Sequence, residues 1–365
     1  MAAIAPGGRI GILGGGQLGR MLAMAAAELG HKCHIYCPDD EVPAADVAAA
    51  LTRAAYDDAA ALARFADSVD VVTYEFENVP AETARILSAH APVRPGALAL
   101  ATAQDRLTEK NFLKQRGIAT APFADVADTD DLAKALAAIG TPAVLKTRRM
   151  GYDGKGQAKI LSAKAAGAAW AAIGKLPAIL EGFIDFEREI SVVVARGQDG
   201  EVAAYDPVEN LHANHILDRT YAPAALTPAL ADEARAIAAK IVSELDYVGV
   251  MGVEMFVGRG DKLLVNEIAP RVHNSGHWTM DACAVSQFEQ HIRAICGWPL
   301  GDPARHADAV MTNLIGADAG EWTALAAEPG AKLHLYGKAE ARPGRKMCHV
   351  NRLFPLGKRP PVTPR

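Results

Sequence analysis

Cysteine, aromatic residues and long apolar runs are all scarce in this 365-residue chain. The cysteines, Cys33, Cys37, Cys283, Cys296 and Cys348, are odd in number and widely spread. Such a set is no disulfide framework and points to a reducing cytoplasm. His31, Cys33, His34 and Cys37 lie close together, yet Lys32 to Tyr36 reads as a strand whose alternate side chains face opposite ways, so the cluster is not read as a zinc site. The longest uncharged stretch, Thr220 to Ala231, carries Pro223 and Pro228, which excludes a membrane-spanning helix. Arg9 interrupts the N-terminus before any apolar run of useful length, and no signal peptide is expected. A basic excess is missing too. At a net charge of −5 the chain is a poor partner for nucleic acid or an anionic membrane. Neither a G-x-x-x-x-G-K-[ST] phosphate loop nor a G-x-S-x-G nucleophile elbow occurs.

What is present is globular: half the residues are hydrophobic and 22% charged, in a chain long enough for two or three packed units. The first hundred residues alternate strand and helix. Strands are expected at Arg9 to Leu13, Cys33 to Tyr36 and Val69 to Tyr74, with helices at Gln17 to Leu29, Asp58 to Ala66 and Ala81 to Ala89. This βαβ rhythm predicts a parallel, doubly wound sheet. Helices follow at Ala103 to Gln115 and Asp130 to Ile139. Strands then dominate, with one hairpin around Gly197 to Gly200 and another joining Val250–Val257 to Leu263–Ile268, on either side of a helix from Pro228 to Leu245. The second half is therefore α+β with antiparallel pairing. From about Ala319 the chain is rich in glycine, proline and basic residues.

Gly14-Gly15-Gly16-Gln17-Leu18-Gly19 matches G-x-G-x-x-G between a strand and a helix, with Asp39 and Asp40 about twenty residues on. The segment suits a dinucleotide, another phosphorylated ligand, or tight strand-to-helix packing. Lys146 ends the apolar strand Ala143-Val144-Leu145, and the loop Gly151-Tyr152-Asp153-Gly154-Lys155-Gly156-Gln157 follows. A lysine at a strand end and a flexible basic loop suit a polyphosphate.

Glu254 and Glu267 give the sharpest inference. If the second hairpin turns at Arg259 to Lys262, Glu254 falls opposite Glu267, and Phe256 opposite Val265. Like charges facing one another destabilise a sheet, and burial makes them costlier. A divalent cation such as Mg²⁺, which takes carboxylates plus phosphate oxygens, resolves the conflict, with Asn266 beside it. Next come Arg271, His273, Asn274, Ser275 and His277, a density of hydrogen-bonding side chains that suits an anionic substrate. Lys338 and Arg342-Pro343-Gly344-Arg345-Lys346 offer a short basic turn for one phosphate or a solvated surface.

Asn266-Glu267-Ile268-Ala269-Pro270-Arg271 through His277, the Lys146 strand, the Gly151–Gln157 loop and Glu181-Gly182-Phe183-Ile184 together resemble the ATP-grasp superfamily. Within it, the Gly14 loop, Tyr74-Glu75-Phe76-Glu77-Asn78-Val79-Pro80 and the Arg342–Lys346 turn are similar to the N5-carboxyaminoimidazole ribonucleotide synthetase family. The resemblance implies an ATP-grasp fold with a Rossmann-like N-terminal domain over residues 1–103. It implies a linker helix and lid over 104–195, a central subdomain over 196–318, and a C-terminal extension over 319–365 packing on the central domain. It implies a homodimer using ATP and two Mg²⁺ ions, without biotin, to carboxylate 5-aminoimidazole ribonucleotide with bicarbonate. ATP would meet Arg106, Lys146, the loop from Gly151 to Gln157, Glu181, Gly182, Phe183, Ile184, Glu189, His212, Asn266 and Glu267. Metal would sit on Glu254 and Glu267. Arg271, His273 and Lys338 would serve the chemistry. The ribonucleotide would meet Gly16, Gln17, Leu18, Glu75, Asn78, Tyr152, Asp153, Lys155, Asn274, Ser275, Lys338 and Arg345.

Three positions depart from the family pattern: Val272 where proline is usual, His215 where glycine is common, and Cys348 in place of glycine. Other readings are a different ATP-grasp ligase, an NAD-dependent oxidoreductase using Gly14 to Gly19, and a non-catalytic nucleotide sensor.

Overall fold

The βαβ rhythm closes into a four-stranded parallel sheet, ordered Ala50–Thr52, Lys32–Tyr36, Arg9–Leu13, Val71–Tyr74. Ile10, Ile12, Ile35, Val71 and Val72 are wholly buried, as parallel strands between two helical layers must be. The computed structural model describes residues 2–151 and 154–363. The helix expected from Ala103 to Gln115 is two helices, Ala97–Ala103 and Arg106–Gln115. The break falls at Asp105, whose carboxylate accepts from the amides of Leu107 and Thr108 at 3.0 and 3.2 Å. That cap starts a new helix, and its first residue is Arg106.

A second sheet is small and antiparallel, ordered Phe123–Val126, Ala178–Gly182, Ala143–Thr147, Gln157–Ile160. It has its own core, built on Val126, Leu132, Leu145, Trp170 and Leu180. The third sheet has nine antiparallel strands and begins at the edge with Lys262–Ala269, then Gly249–Gly258, then Phe186–Arg196. Phe186–Arg196 was expected in the lid unit. It belongs to the large sheet because Ile190 to Ala195 are buried without interruption, which only a strand covered on both faces allows. The tail joins the same sheet: Ala331–Leu335 and Lys346–Phe354 continue it beyond Asp308–Ile315. Cys348 is fully buried there, opposite Leu314.

One apolar cluster joins the parallel sheet to the large one. It runs from Ile10, Ile12 and Leu22 through Phe288, Ile292 and Ile295 of the helix Gln287–Cys296 to Met311.

Strands Val208–Ala213 and Ile216–Ala222 are joined by Asn214 and His215 alone, at φ of 50° and 66°. Two left-handed residues make a type I′ turn, where glycine is best tolerated in the second place. His215→Gly should therefore raise stability by about 0.5–1 kcal/mol, less than the full left-handed penalty because glycine has more entropy to lose. A rise of about 1–2 °C in the melting midpoint by scanning calorimetry is the expected reading, and a fall would contradict it.

Candidate active site

The strands Gly249–Gly258 and Lys262–Ala269 pair tightly at their turn, with Gly258 opposite Lys262 and Phe256 opposite Leu264. The expected partner of Phe256, Val265, faces Met255 instead. A one-residue shift follows, with Asn266 as the extra residue, and beyond it Glu254 stands opposite Glu267. Without this bulge Glu254 would face Asn266, and Glu267 would turn to the other side of the sheet. Glu254, Asn266, Glu189, His212 and Phe256 line one small cleft.

Each carboxylate meets a basic side chain. Arg106 Nη1 lies 2.9 Å from Glu267 Oε2, and His273 Nε2 lies 3.3 Å from Glu254 Oε1. Burial alone would raise the Glu254 carboxyl, but the hydrogen bond and charge of His273, helped by His212 and Arg106, hold it well below the usual carboxylate range. The Oδ1 of Asn266 is buried and has no hydrogen-bond partner. Two opposed carboxylates beside an orphaned amide oxygen are the donor set of a hard divalent cation. Among the described residues no group of three or more His, Cys, Asp or Glu side chains forms a cage by itself, so further oxygens would come from the ligand.

On the lid side, Lys146 Nζ lies 2.7 Å from Glu181 Oε2. Burial would raise Glu181, but Lys146, Lys110 and Arg106 outweigh it and hold it at about 2. Glu181 thus contributes a side chain that anchors Lys146. The amides of Gly182 and Phe183 donate to the carbonyls of Pro122 and Pro142, so the protein itself uses these two amides. Phe183 lies 3.9 Å beneath the Lys159 ammonium, and Ile184 follows it. Glu189 and His212 form an ion pair, and Glu189 overcomes burial to raise the imidazole. Gly151, Gly154 and Gly156 are half-buried while Lys155 and Gln157 are exposed; Tyr152 and Asp153 lie outside the described residues.

The loop after the acidic hairpin divides its polar groups. Arg271 forks onto Glu77, with Nε 2.5 Å and Nη2 3.4 Å from its two oxygens. His273 Nδ1 lies 2.8 Å from the Ser275 hydroxyl, which lies 2.6 Å from Ser191. Asn210 and Thr220 continue this buried chain. Ser275, expected at the substrate, is therefore wholly buried and orients His273. Asn274 is also engaged by the protein, exchanging hydrogen bonds with Asn313 at 3.1 and 2.6 Å. His277 is buried, 3.0 Å from the Gln287 amide. Val272 is fully buried in the core without disturbing these contacts.

At the Rossmann-like unit, Glu75 fills the start of helix Gln17–Glu28. Its carboxylate accepts from the amide of Gly16 and, at 2.6 Å, from that of Gly19. A pyrophosphate would need those amides, so the dinucleotide reading is overturned by the protein's own carboxylate. Gly14 has a φ of +97°, and a Cβ there would fall 2.5 Å from Glu75. Leu18, expected at the ligand, buries its side chain in the core. Gln17 and Asn78 are half-buried. Lys338 donates to the Lys346 carbonyl at 2.7 Å, and Arg345 pairs with Glu41 at 2.7 Å. Burial and Arg345 push Lys338 down to about 8 against the pull of Glu75 and Glu41.

Three charged residues of this region escaped the sequence reading. Glu77 lies inside a motif already singled out, but nothing in the sequence joins it to Arg271, its partner across the fold. Glu109 and Lys110 sit on the helix Arg106–Gln115 and are almost wholly buried. A buried Glu-Lys step runs against hydrophobic patterning, so periodicity assigns both to solvent.

The ATP-grasp domain family matches residues 111–288, the ribonucleotide synthetase preATP-grasp domain residues 8–104, and the phosphoribosylaminoimidazole carboxylase C-terminal domain residues 309–355. An N5-carboxyaminoimidazole ribonucleotide synthase of Brucella melitensis is 55% identical, over 96% of this chain and 97% of the relative. The N5-carboxyaminoimidazole synthetase of Staphylococcus aureus, solved with ADP, superposes with a TM-score of 0.93 at 37% identity, over 97% of this chain and 95% of that one. The N5-carboxyaminoimidazole synthase of Aspergillus clavatus, solved with ADP and 5-aminoimidazole ribonucleotide, superposes at 0.90 with 32% identity, over 96% and 94%. Taken with the paired glutamates and the lysine-bearing lid strand, these matches place the chain in the N5-carboxyaminoimidazole ribonucleotide synthetase family of ATP-grasp enzymes.

Proposed function

We propose that this chain joins bicarbonate to the exocyclic amine of 5-aminoimidazole ribonucleotide, cleaving ATP to ADP and phosphate, in purine biosynthesis. The observation that carries the reading is the meeting of Glu254 and Glu267 across a bulged hairpin, with Arg106 on one of them and His273 on the other. Those carboxylates and the Asn266 oxygen fit Mg²⁺, which supplies charge neutralisation on phosphate oxygens when bound. Arg106, Lys146 and the loop from Gly151 to Gln157 hold the triphosphate. Glu189 and His212 hold the nucleoside end, with Ile184 and the Phe183 ring along the base.

A bicarbonate oxygen attacks the γ-phosphorus, the bond to the bridging oxygen of ADP breaks, and carboxyphosphate results. The amine nitrogen then attacks the carboxyl carbon, of carboxyphosphate or of the carbon dioxide released from it; the carbon–oxygen bond to phosphate breaks and the amine proton passes to the departing phosphate. The protein positions these groups and offsets their charge. Arg271, held flat by Glu77, and His273, held by Ser275, face the bicarbonate-derived oxygens. Glu75, Lys338 and Arg345 border the ribonucleotide. All five thiols are free and buried, in keeping with work in a reducing cytoplasm, and the proposal extends to a homodimer on the family resemblance alone.

Coupled ADP release with Mg²⁺, ATP, bicarbonate and aminoimidazole ribonucleotide, each omitted in turn, tests the reading. Release that needs formate and glycinamide ribonucleotide instead would overturn it. A pH dependence follows from Lys338. Its ammonium is cationic below about 8 and neutral above, so capture of an anionic phosphate weakens as pH rises through that value. Between pH 7 and 9.5, where the ligand phosphate is already dianionic, kcat/KM for the ribonucleotide should fall about tenfold. Lys338→Met should be lower throughout and lose the break near 8; a break retained in that variant would assign it elsewhere.

A further inference from the structure

The bulge at Asn266 lies on an edge strand, whose outward side meets an isolated bridge of Val265 with Thr120, the Val265 amide donating to the Ala119 carbonyl, rather than a full strand. The helix Arg106–Gln115 covers that edge with one face. Glu109 Oε1 accepts from the Ile268 amide at 2.5 Å. Lys110 Nζ donates to the carbonyls of Asn266 and Val265 at 2.7 and 3.3 Å. Arg106, one turn earlier on the same face, reaches the Glu267 carboxylate. Lys110 also lies 3.7 Å from Glu181 Oε1, while the other oxygen of Glu181 holds Lys146.

We propose that Glu109 and Lys110 are positioning residues, clamping the bulged segment Val265–Ile268 so that Glu267 stays opposite Glu254 at a fixed distance from Lys146. This rests on the function proposed above and deepens it. Burying an ammonium is costly, and a methionine of similar volume would fill the space without that cost. The ammonium gives donors to the Asn266 and Val265 carbonyls on the edge side of the bulge. It also touches both the bulge of the large sheet and the Glu181 carboxylate of the small one. Loss of either side chain leaves the bulge free to shift register by one residue, which turns Glu267 away from the cleft.

The full-length chain carrying Lys110→Met tests the clamp by two readings. Hydrogen exchange of metal-free protein should quicken about tenfold over residues 262–269 and stay unchanged over the parallel strand 9–13. The Mg²⁺ concentration for half-maximal ADP release should rise about tenfold, with a smaller change in turnover at saturating Mg²⁺. Glu109→Gln keeps an acceptor for Ile268 and should stay within about threefold of the parent, whereas Glu109→Leu should behave like Lys110→Met. If Lys110→Met does not fold, Glu109→Leu, which removes the acceptor for the Ile268 amide, carries both readings. Unchanged exchange at 262–269, or exchange that quickens equally along the whole chain, overturns the proposal. Failure of the functional reading looks different: the unmodified chain would then release ADP with other substrates while the exchange result stood.

Discussion

Glu267→Gln lowers ADP-forming turnover by about 10²- to 10³-fold while the protein stays folded. The substitution keeps the shape and removes the charge that both a divalent ion and Arg106 require. A fully positioned ligand to a phosphoryl transition state is worth about 3–4 kcal/mol, which gives that factor. Folding tolerates the change because Glu267 is about a third exposed, with a side-chain accessibility of 35%, and Arg106 can rehydrate. Glu267→Asp keeps the charge but retracts it by one methylene, so an intermediate loss of about 10- to 100-fold is expected. Steady-state assays at several Mg²⁺ concentrations, with a melting curve for each variant, check both; Glu267→Gln within threefold of the parent would remove the carboxylate pair from the mechanism.

Arg271→Met is expected to cost a comparable 10²- to 10³-fold in kcat, about 3–4 kcal/mol of charge stabilisation. Arg271→Lys should lose only about 10- to 50-fold, since it keeps the charge and loses the fork. The methionine variant has a second effect. Glu77 is left in a mostly buried place with no cation, which destabilises the fold by about 1–3 kcal/mol once its partial exposure is discounted. The double variant Glu77→Gln/Arg271→Met separates the two. Stability should return, because no charge is stranded, while turnover stays low. Recovery of turnover along with stability would mean that Arg271 serves folding alone.

The sequence made the opposition of Glu254 and Glu267 legible, but by a route the structure amends. A four-residue turn from Arg259 to Lys262 would give the same pair without a bulge; the real turn is one residue tighter, pairing Gly258 with Lys262, and Asn266 restores the phase. Turn position is read from glycine and charge, whereas a bulge leaves no compositional mark. Strand Arg9–Leu13 was legible because burial on two faces writes an uninterrupted run without polar side chains from Ile10 to Leu13. Strands Val208–Ala213 and Ile216–Ala222 were not, because Glu209, Asn210, Asp218 and Thr220 are buried polar residues paired across the sheet interior. Glu109 and Lys110 were hidden for the same reason: their partners are backbone groups of a distant strand, to which no local pattern points. The pairing of Glu75 with the amides of Gly16 and Gly19 left no mark in the sequence, since only the fold brings these groups together.

The partition of apolar cores sets where the molecule can breathe. The parallel sheet and the nine-stranded sheet share one continuous core, while the lid sheet keeps a separate one. Prying the first two apart would expose that shared interior; swinging the lid exposes far less. Opening is therefore expected along the seam of the small sheet, and the wall carrying Glu75, Arg271 and Lys338 is expected to be the stiffer side. On the proposed reaction, the acyl phosphate would form at the softer half of the cleft, with the stiffer half as its fixed backstop.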